Sequence, residues 1–174
     1  MRVRQFDCYL RAFHIQPPFW FRIDIAMPKS STIKKAARDK RSGKSASTQA
    51  GEFVREEIDA IRRHKHGARS ARQAIAIGLS KARRAGVKLA APKKGKASKS
   101  VRRKAEQDLE KGKSGPHKPS AKRSRASLKA LKREGHAAVS RQALSRQGSA
   151  AARKRTAAER SASARKAART RARG

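Results

Sequence analysis

The fold of this chain is decided by residues 66–86, HGARSARQAIAIGLSKARRAG. Ser70, followed three residues later by Gln73, predicts a capping box, in which each side chain satisfies a free backbone donor of the first helical turn. Gly86 can adopt the left-handed backbone conformation that ends a helix after its last turn. The stretch therefore predicts one helix whose two ends are both marked in the sequence.

The predicted helix has two unlike faces, because successive residues of a helix are rotated by about 100°. One face carries small and apolar side chains, namely Ala71, Ile75, Gly78, Leu79 and Ala82. The opposite face carries Gln73, Ile77, Ser80 and Arg84. The first face needs a core to pack against, and the second needs a partner or water.

A second helix is predicted just upstream, from about Thr48 to Lys65, because Ser47 and Thr48 offer caps at its start. Its apolar stripe consists of Phe53, Val54, Ile58 and Ile61. Packed face to face, the two helices form a small helical hairpin over residues 47–91. A domain of this size is marginally stable, so we expect a second copy or a nucleic acid to complete it.

The upstream helix is also locally acidic in an otherwise basic chain. Its acidic side chains are Glu52, Glu56, Glu57 and Asp59. We interpret them as solvated charges with weak local pairing. A sharper hypothesis is that they keep DNA away from this helix and leave its neighbour to bind.

A helix-turn-helix motif is the alternative interpretation of the stretch that begins at Ser70. With Ser70 as its first position, Ala74 and Gly78 fall where that motif usually has small residues. Gln73 and Arg84 then occupy positions that should be apolar. A continuous helix fits the periodicity better, and the two interpretations differ in whether the chain turns at Gly78.

The charge of the chain indicates acidic partners. Its 174 residues carry a formal net charge of +36. Self-repulsion of this size opposes compaction unless a polyanion neutralises it. Nucleic acid is therefore the first partner class to consider and an anionic membrane the second, although charge alone implies no sequence specificity.

The first 26 residues differ in composition from the rest. They hold the only Trp and the only Tyr, whereas Phe53 is the single Phe, Trp or Tyr after Met27. Charged residues such as Asp7 and Arg11 interrupt the apolar run, which disfavours a signal peptide and a membrane span. We expect residues 1–26 to be an extension from a misplaced start, with Met27 as the natural beginning. A short amphipathic membrane tether is the alternative.

Basic segments flank the predicted hairpin on both sides. Residues 27–46 form an arm and residues 92–174 an Ala, Lys and Arg-rich tail, and we expect both to be disordered or weakly helical. Helical turns are predicted around Val101, Ala105 and Leu109 and around Leu128 and Leu131, with stripes too narrow to need a core. Residues 150–174 have high helix propensity but no large apolar residue to pack.

A weak internal echo relates ARSARQAI at residues 68–75 to AVSRQAL at residues 138–144. In so biased a composition, we attribute it to chance.

Catalytic chemistry has little support in the sequence. Cys8 is the only cysteine, so neither an intrachain disulfide nor a four-cysteine zinc site can form. His64 and His66 are close, but alternate residues of a helix point about 200° apart, unlike metal-binding pairs. No nucleophile–base or paired-carboxylate arrangement stands out. We therefore predict no enzymatic activity, no cofactor, no metal and no small-molecule substrate.

Three stretches of the chain resemble a bacterial family of short basic proteins with a domain of unknown function. They are MPKSSTIKKAARDK at 27–40, STQAGEFVREEI at 47–58, and HGARS with QAIAIGLSKARRAG within 66–86. Proteins of this family are commonly labelled DNA-binding, so the resemblance implies that role without bringing catalytic residues. The tail is similar in composition to histone H1-like proteins of bacteria.

These observations predict a mainly α, non-enzymatic nucleic-acid-binding protein of the cytoplasm, with a histone-like, nucleoid-associated role. We expect salt-sensitive and weakly sequence-selective binding to duplex DNA. The predicted contacts are Arg69, Arg72, Gln73, Ser80, Lys81, Arg83, Arg84, Lys93, Lys94, Lys96, Arg102, Arg103, Lys104, Arg153, Lys154 and Arg155.

The alternative is a protein-interaction or regulatory module. In that hypothesis the hairpin docks a protein partner through Ile77, which is expected to be exposed, and through the acidic first helix. The tail then serves localisation only. A homodimer through the hairpin, with Ile77 as its natural contact, is a further alternative. A membrane partner is not expected.

Overall fold

The computed structural model describes residues 28–115 and 120–172, which form α-helices and a 3₁₀ turn without any strand. The helices are α1 (Ser30–Arg41), α2 (Ala46–Arg62), α3 (Ala71–Arg84), α4 (Lys99–Lys113), α5 (Ala121–Lys132), α6 (Arg141–Arg153) and α7 (Ala157–Arg171), with the 3₁₀ turn at Ala137–Val139. The mainly α prediction is confirmed, whereas the expectation of only two well-formed helices is wrong. The predicted extension at residues 1–26 lies outside the described residues.

The predicted hairpin corresponds to α2 and α3. Its first helix begins and ends earlier than expected, because Ser45 rather than Ser47 or Thr48 is the N-cap of α2: the Ser45 hydroxyl accepts the N–H of Thr48 at 3.4 Å. The ends of α3 agree better with the prediction. The Ser70 hydroxyl accepts the N–H of Gln73 at 3.2 Å, as the capping box requires. The Gln73 side chain, however, accepts the N–H of Arg69 at 2.9 Å rather than that of Ser70. Gly86 closes the helix with a positive φ of 86°. Only the Ser70 half of the predicted capping box therefore forms, and α3 begins and ends where the sequence places it.

Gly78 is the point where α3 lies closest to α2. A Cβ atom at Gly78 would lie 2.6 Å from the Cα atom of Val54, nearer than van der Waals contact allows. The helix runs without interruption through this residue. Gly78 therefore serves close helix packing, and the alternative that placed a helix-turn-helix bend there is wrong.

The arm at residues 27–46 contains a helix, contrary to the expectation of a disordered or weakly helical segment. Thr32, Ala36 and Asp39 are buried at helical spacing in α1, and Ala36 joins the core formed by Ala50 and Phe53 of α2. The backbone N–H of Lys29 donates to the Glu56 carboxylate at 3.3 Å. The helix α1 therefore docks on α2 through a face of small and polar residues.

The tail is also part of the fold, since α4 packs on α3. Ala105 and Asp108 are buried in that contact, so the narrow stripe of α4 does require a core. Gly112 lies so close to the carbonyl oxygen of Arg83 that a Cβ atom there would overlap it. The first predicted tail helix, α4, is therefore packed into the domain as its fourth helix.

A second stretch of the tail docks on the loop between α2 and α3. The N–H groups of Gly67 and Ala68 donate to the carbonyl oxygens of Leu131 and Gly135 at 2.9 and 3.0 Å. Val139 of the 3₁₀ turn is buried against Ile61 and other residues of this second core. Residues 131–139 thus complete a core that α2 and α3 leave open.

The helices α5, α6 and α7 differ from the first four because they bury no residue completely. Caps mark the starts of the last two: Ser140 accepts the Ala143 N–H, and Thr156 forms a full capping box with Glu159. Local capping and propensity, rather than packing, therefore define α7.

Candidate nucleic-acid interface

Lys81 is the residue whose position departs most from the sequence prediction. Its side chain is 4% exposed, and its Nζ atom lies 2.7 Å from Glu57 Oε2, which is completely buried. The sequence predicts a solvated Glu57 and a phosphate contact at Lys81, yet each is the other's partner inside the hairpin. Lys81 is therefore unavailable to a nucleic acid in the folded chain.

His66 completes this buried cluster. Its Nδ1 atom lies 3.2 Å from the Gly67 carbonyl oxygen, and its Nε2 atom lies 3.4 Å from Glu57 Oε1. Because a carbonyl oxygen can only accept, the Nδ1 atom must carry the proton of that bond. The cluster joins α2, the connecting loop and α3.

Arg83 is the second predicted contact that the fold encloses. Its Nε and Nη2 atoms donate to the carbonyl oxygens of Leu89 and Ala90 at 3.1 and 3.3 Å. Burial lowers the pKa of Arg83, and the nearby Asp108 carboxylate partly offsets that effect. The side chain fixes the segment after α3 against the helix, so we leave Lys81 and Arg83 out of the proposed interface.

The outer face of α3 has a partner, and that partner is α4. Ser80 donates to Asp108 Oδ2 at 2.7 Å, and Arg84 Nε lies 3.8 Å from Asp108 Oδ1. Lys104, on α4 itself, places its Nζ atom 3.6 Å from the same oxygen. Ser80 and Arg84, which the sequence predicts as nucleic-acid contacts, therefore have an intrachain partner in Asp108.

Ile77 is not the exposed residue that the homodimer hypothesis assumes. It is half-buried, as is its neighbour on the same face, Gln73. The exposed large hydrophobic side chains among the described residues are Ile33 on α1 and Val101 on α4, at 41% and 52%.

The remaining predicted contacts lie at the surface. Half-buried Arg102 is the least accessible of them, and Arg155 donates to Ser163 at 2.7 Å. The exposed members are Arg69, Arg72, Lys93, Lys94, Lys96, Arg103, Lys104, Arg153, Lys154 and Arg155. These residues leave their cationic groups accessible to an anionic partner.

Arg69 and Arg72 line an open cleft of about 520 Å³ between the start of α3 and the first two turns of α6. Arg146 and Gln147 line its other side, together with Ala138 and Ala143. Arg72 Nε donates to Gln147 Oε1 at 3.1 Å, which joins the two helices across the cleft. The two segments of the sequence echo, 68–75 and 138–144, meet here.

Arg146 is the cleft residue that sequence reasoning missed. The echo was the one available signal, because it marks a second serine-capped helix start similar to that of α3. A second cleft, of about 530 Å³, has a different character. It is lined by both Glu106 and Glu110 as well as by basic residues, so its charges are mixed.

Comparison with known proteins returned no matching family model, no matching curated protein and no matching solved structure. The family resemblance of the sequence stays a prediction. Among the described residues, no helix is long and apolar enough to cross a bilayer. The same residues contain no group of three or more His, Cys, Asp or Glu side chains placed to hold a metal ion.

Proposed function

We propose that this chain is a non-enzymatic nucleic-acid-binding protein that holds duplex DNA through its phosphates. One observation carries the proposal: Lys81 and Arg83 are the only buried Lys or Arg side chains among the described residues. Three of the acids, Asp39, Glu57 and Asp108, are instead buried beside cations of the same chain. The accessible surface therefore presents a large excess of positive charge.

The placement of the aromatic residue favours a duplex over a single strand. Phe53, the single Phe, Trp or Tyr after Met27, is 1% exposed in the core of the hairpin. Platforms for single-stranded nucleic acids use exposed aromatic rings on which bases stack. Residues 28–115 and 120–172 offer no such Phe, Tyr or Trp ring, so contacts to the phosphate backbone are the available mode.

Binding of this kind depends steeply on salt. Each phosphate neutralised by Lys or Arg releases counterions, and log K falls with log salt with a slope of about −0.9 per contact. We expect affinity for an arbitrary duplex to fall strongly between about 50 and 200 mM salt, with little dependence on base sequence. The corresponding cellular location is the nucleoid.

Fluorescence anisotropy with labelled DNA tests this function. Duplexes of two unrelated sequences should bind with similar affinities and parallel salt slopes, and an unlabelled single strand should compete less well than an unlabelled duplex. Absence of binding at low salt, or tight binding that ignores salt, would overturn the proposal.

A further inference from the structure

We infer that the cleft between α3 and α6 is a binding site for one phosphate group, held by Arg69, Arg72 and Arg146. Three arginine side chains line this cleft, and no acidic residue is among the described residues around it. Assigning the phosphate to a DNA backbone rests on the proposed function. The cleft itself is argued from its own contacts and charges.

Within residues 28–115 and 120–172, two of the three guanidinium groups have no partner. Among the described residues, the side chains of Arg69 and Arg146 make no hydrogen bond or ion pair, whereas Arg84 does so with Asp108. Like charges that share a cleft repel one another until an anion neutralises them. A phosphate is the natural occupant, because planar guanidinium groups match its oxygens with paired hydrogen bonds.

Arg72 is held in place for such a contact. Its Nε atom is occupied by Gln147 Oε1 at 3.1 Å, and its two terminal nitrogens keep their donors for a ligand. Arg72 is exposed to solvent, and this hydrogen bond to α6 orients its side chain. Gln147 acts through Arg72 as a positioning residue.

The cleft exists only while α6 lies against α3. A ligand that binds this arrangement and not the separated helices stabilises it by mass action. Phosphate binding should therefore hold α6 and the 3₁₀ turn onto the α2–α3 loop. In this way an anion at one site would fix part of the basic tail to the rest of the domain.

The test uses the full chain labelled with ¹⁵N and titrated with inorganic phosphate at constant ionic strength. Saturable amide shifts are expected at residues 69–72 and 143–147, together with slower hydrogen exchange in α6. The double variant Arg69→Gln/Arg146→Gln should weaken this binding by more than about tenfold, since each charge-assisted hydrogen bond contributes at least that much. Arg41→Gln/Arg63→Gln removes the same charge from exposed positions of α1 and the end of α2, and should leave phosphate binding within about twofold of the wild type.

Shifts spread over all basic surfaces without saturation, or equal losses in the two double variants, would overturn the phosphate site. A short DNA duplex added to the same sample separates the two proposals. If the duplex binds but leaves residues 69–72 and 143–147 unshifted, the cleft assignment fails and the proposed function stands. If phosphate saturates the cleft and the duplex does not bind at all, the cleft stands and the proposed function fails.

Discussion

Glu57 of α2 and Lys81 of α3 form an ion pair that is sealed inside the hairpin, with 2.7 Å between Oε2 and Nζ. Breaking such a pair leaves one charge buried and uncompensated, which typically costs about 3–5 kcal/mol. We expect Lys81→Met to lower the free energy of unfolding of the full chain by about that amount. Urea denaturation followed by circular dichroism measures the loss.

A matched pair of controls separates this effect from the loss of a positive charge. Lys88→Met removes an exposed lysine just after α3, and should change stability by no more than about 0.5 kcal/mol. The double variant Glu57→Leu/Lys81→Met should recover most of the stability lost by Lys81→Met, because no charge is then left unpaired. Equal destabilisation by the two lysine substitutions would contradict the buried pair.

Gly78→Ala should destabilise the chain even though alanine is the better helix former. A Cβ atom at Gly78 would meet the backbone of Val54, and relieving such an overlap costs about 1–3 kcal/mol. Gly51→Ala is the control on the facing helix, since a Cβ atom at Gly51 meets nothing within 4 Å. That substitution should stabilise by about 1 kcal/mol through helix propensity alone. If α2 and α3 pack as described, thermal unfolding should show a lower Tm for Gly78→Ala and a higher Tm for Gly51→Ala than for the wild type. A change of Tm in the same direction for both variants would contradict this packing.

The hairpin could be predicted from the sequence because its signals are local. Caps at Ser70 and Gly86 and the apolar periodicity need only neighbouring residues to be recognised. The pairing of Glu57 with Lys81 could not be predicted, since it depends on the register between two helices. The same holds for α1, whose docking face of Thr32, Ala36 and Asp39 lacks the large apolar residues that mark a core-facing stripe.

The candidate site was harder to predict than the fold, for a related reason. A lysine or arginine looks the same in sequence whether it faces solvent or a buried carboxylate, so Lys81 and Arg83 were assigned with the exposed cations. Arg146 was missed because the contact of Arg72 with Gln147 joins residues 75 positions apart. The tail docks on the hairpin through residues far apart in sequence, and such contacts give no periodic pattern. The only sequence signal of this docking is the short echo of the α3 start at residues 138–144.

Asp108 should hold α4 on the hairpin, because Ser80 and Arg84 of α3 both approach its carboxylate. Asp108→Ala leaves the Ser80 hydroxyl without its partner and should destabilise by about 1–3 kcal/mol. Hydrogen exchange should locate the effect, with protection lost in α4 before it is lost in α2. Glu106→Ala, at an exposed position of the same helix, should leave the exchange of α4 unchanged. Uniform loss of protection over all helices in the Asp108 variant would argue against a separate α4 contact.

Glu159 gives the start of α7 a dependence on pH. The hydrogen bond from the Thr156 backbone N–H, at 2.9 Å, is the main cause that lowers the pKa of Glu159, followed by attraction to Lys96. A carboxyl group whose pKa is lowered on folding stabilises the folded form above its unfolded pKa, and that contribution is lost as pH falls through the folded value. The first turn of α7 should therefore fray on acidification from neutral to about pH 2.

Carbon-13 chemical shifts of residues 157–160 in the full chain measure this fraying. In Glu159→Gln the amide can still accept the Thr156 N–H but does not titrate, so the fraying should become independent of pH. Glu106→Gln supplies the control for general charge effects, because it removes an exposed carboxylate from α4 and leaves the capping box intact. If the wild type and the Glu159 variant fray over the same pH range, the capping box does not control the start of α7.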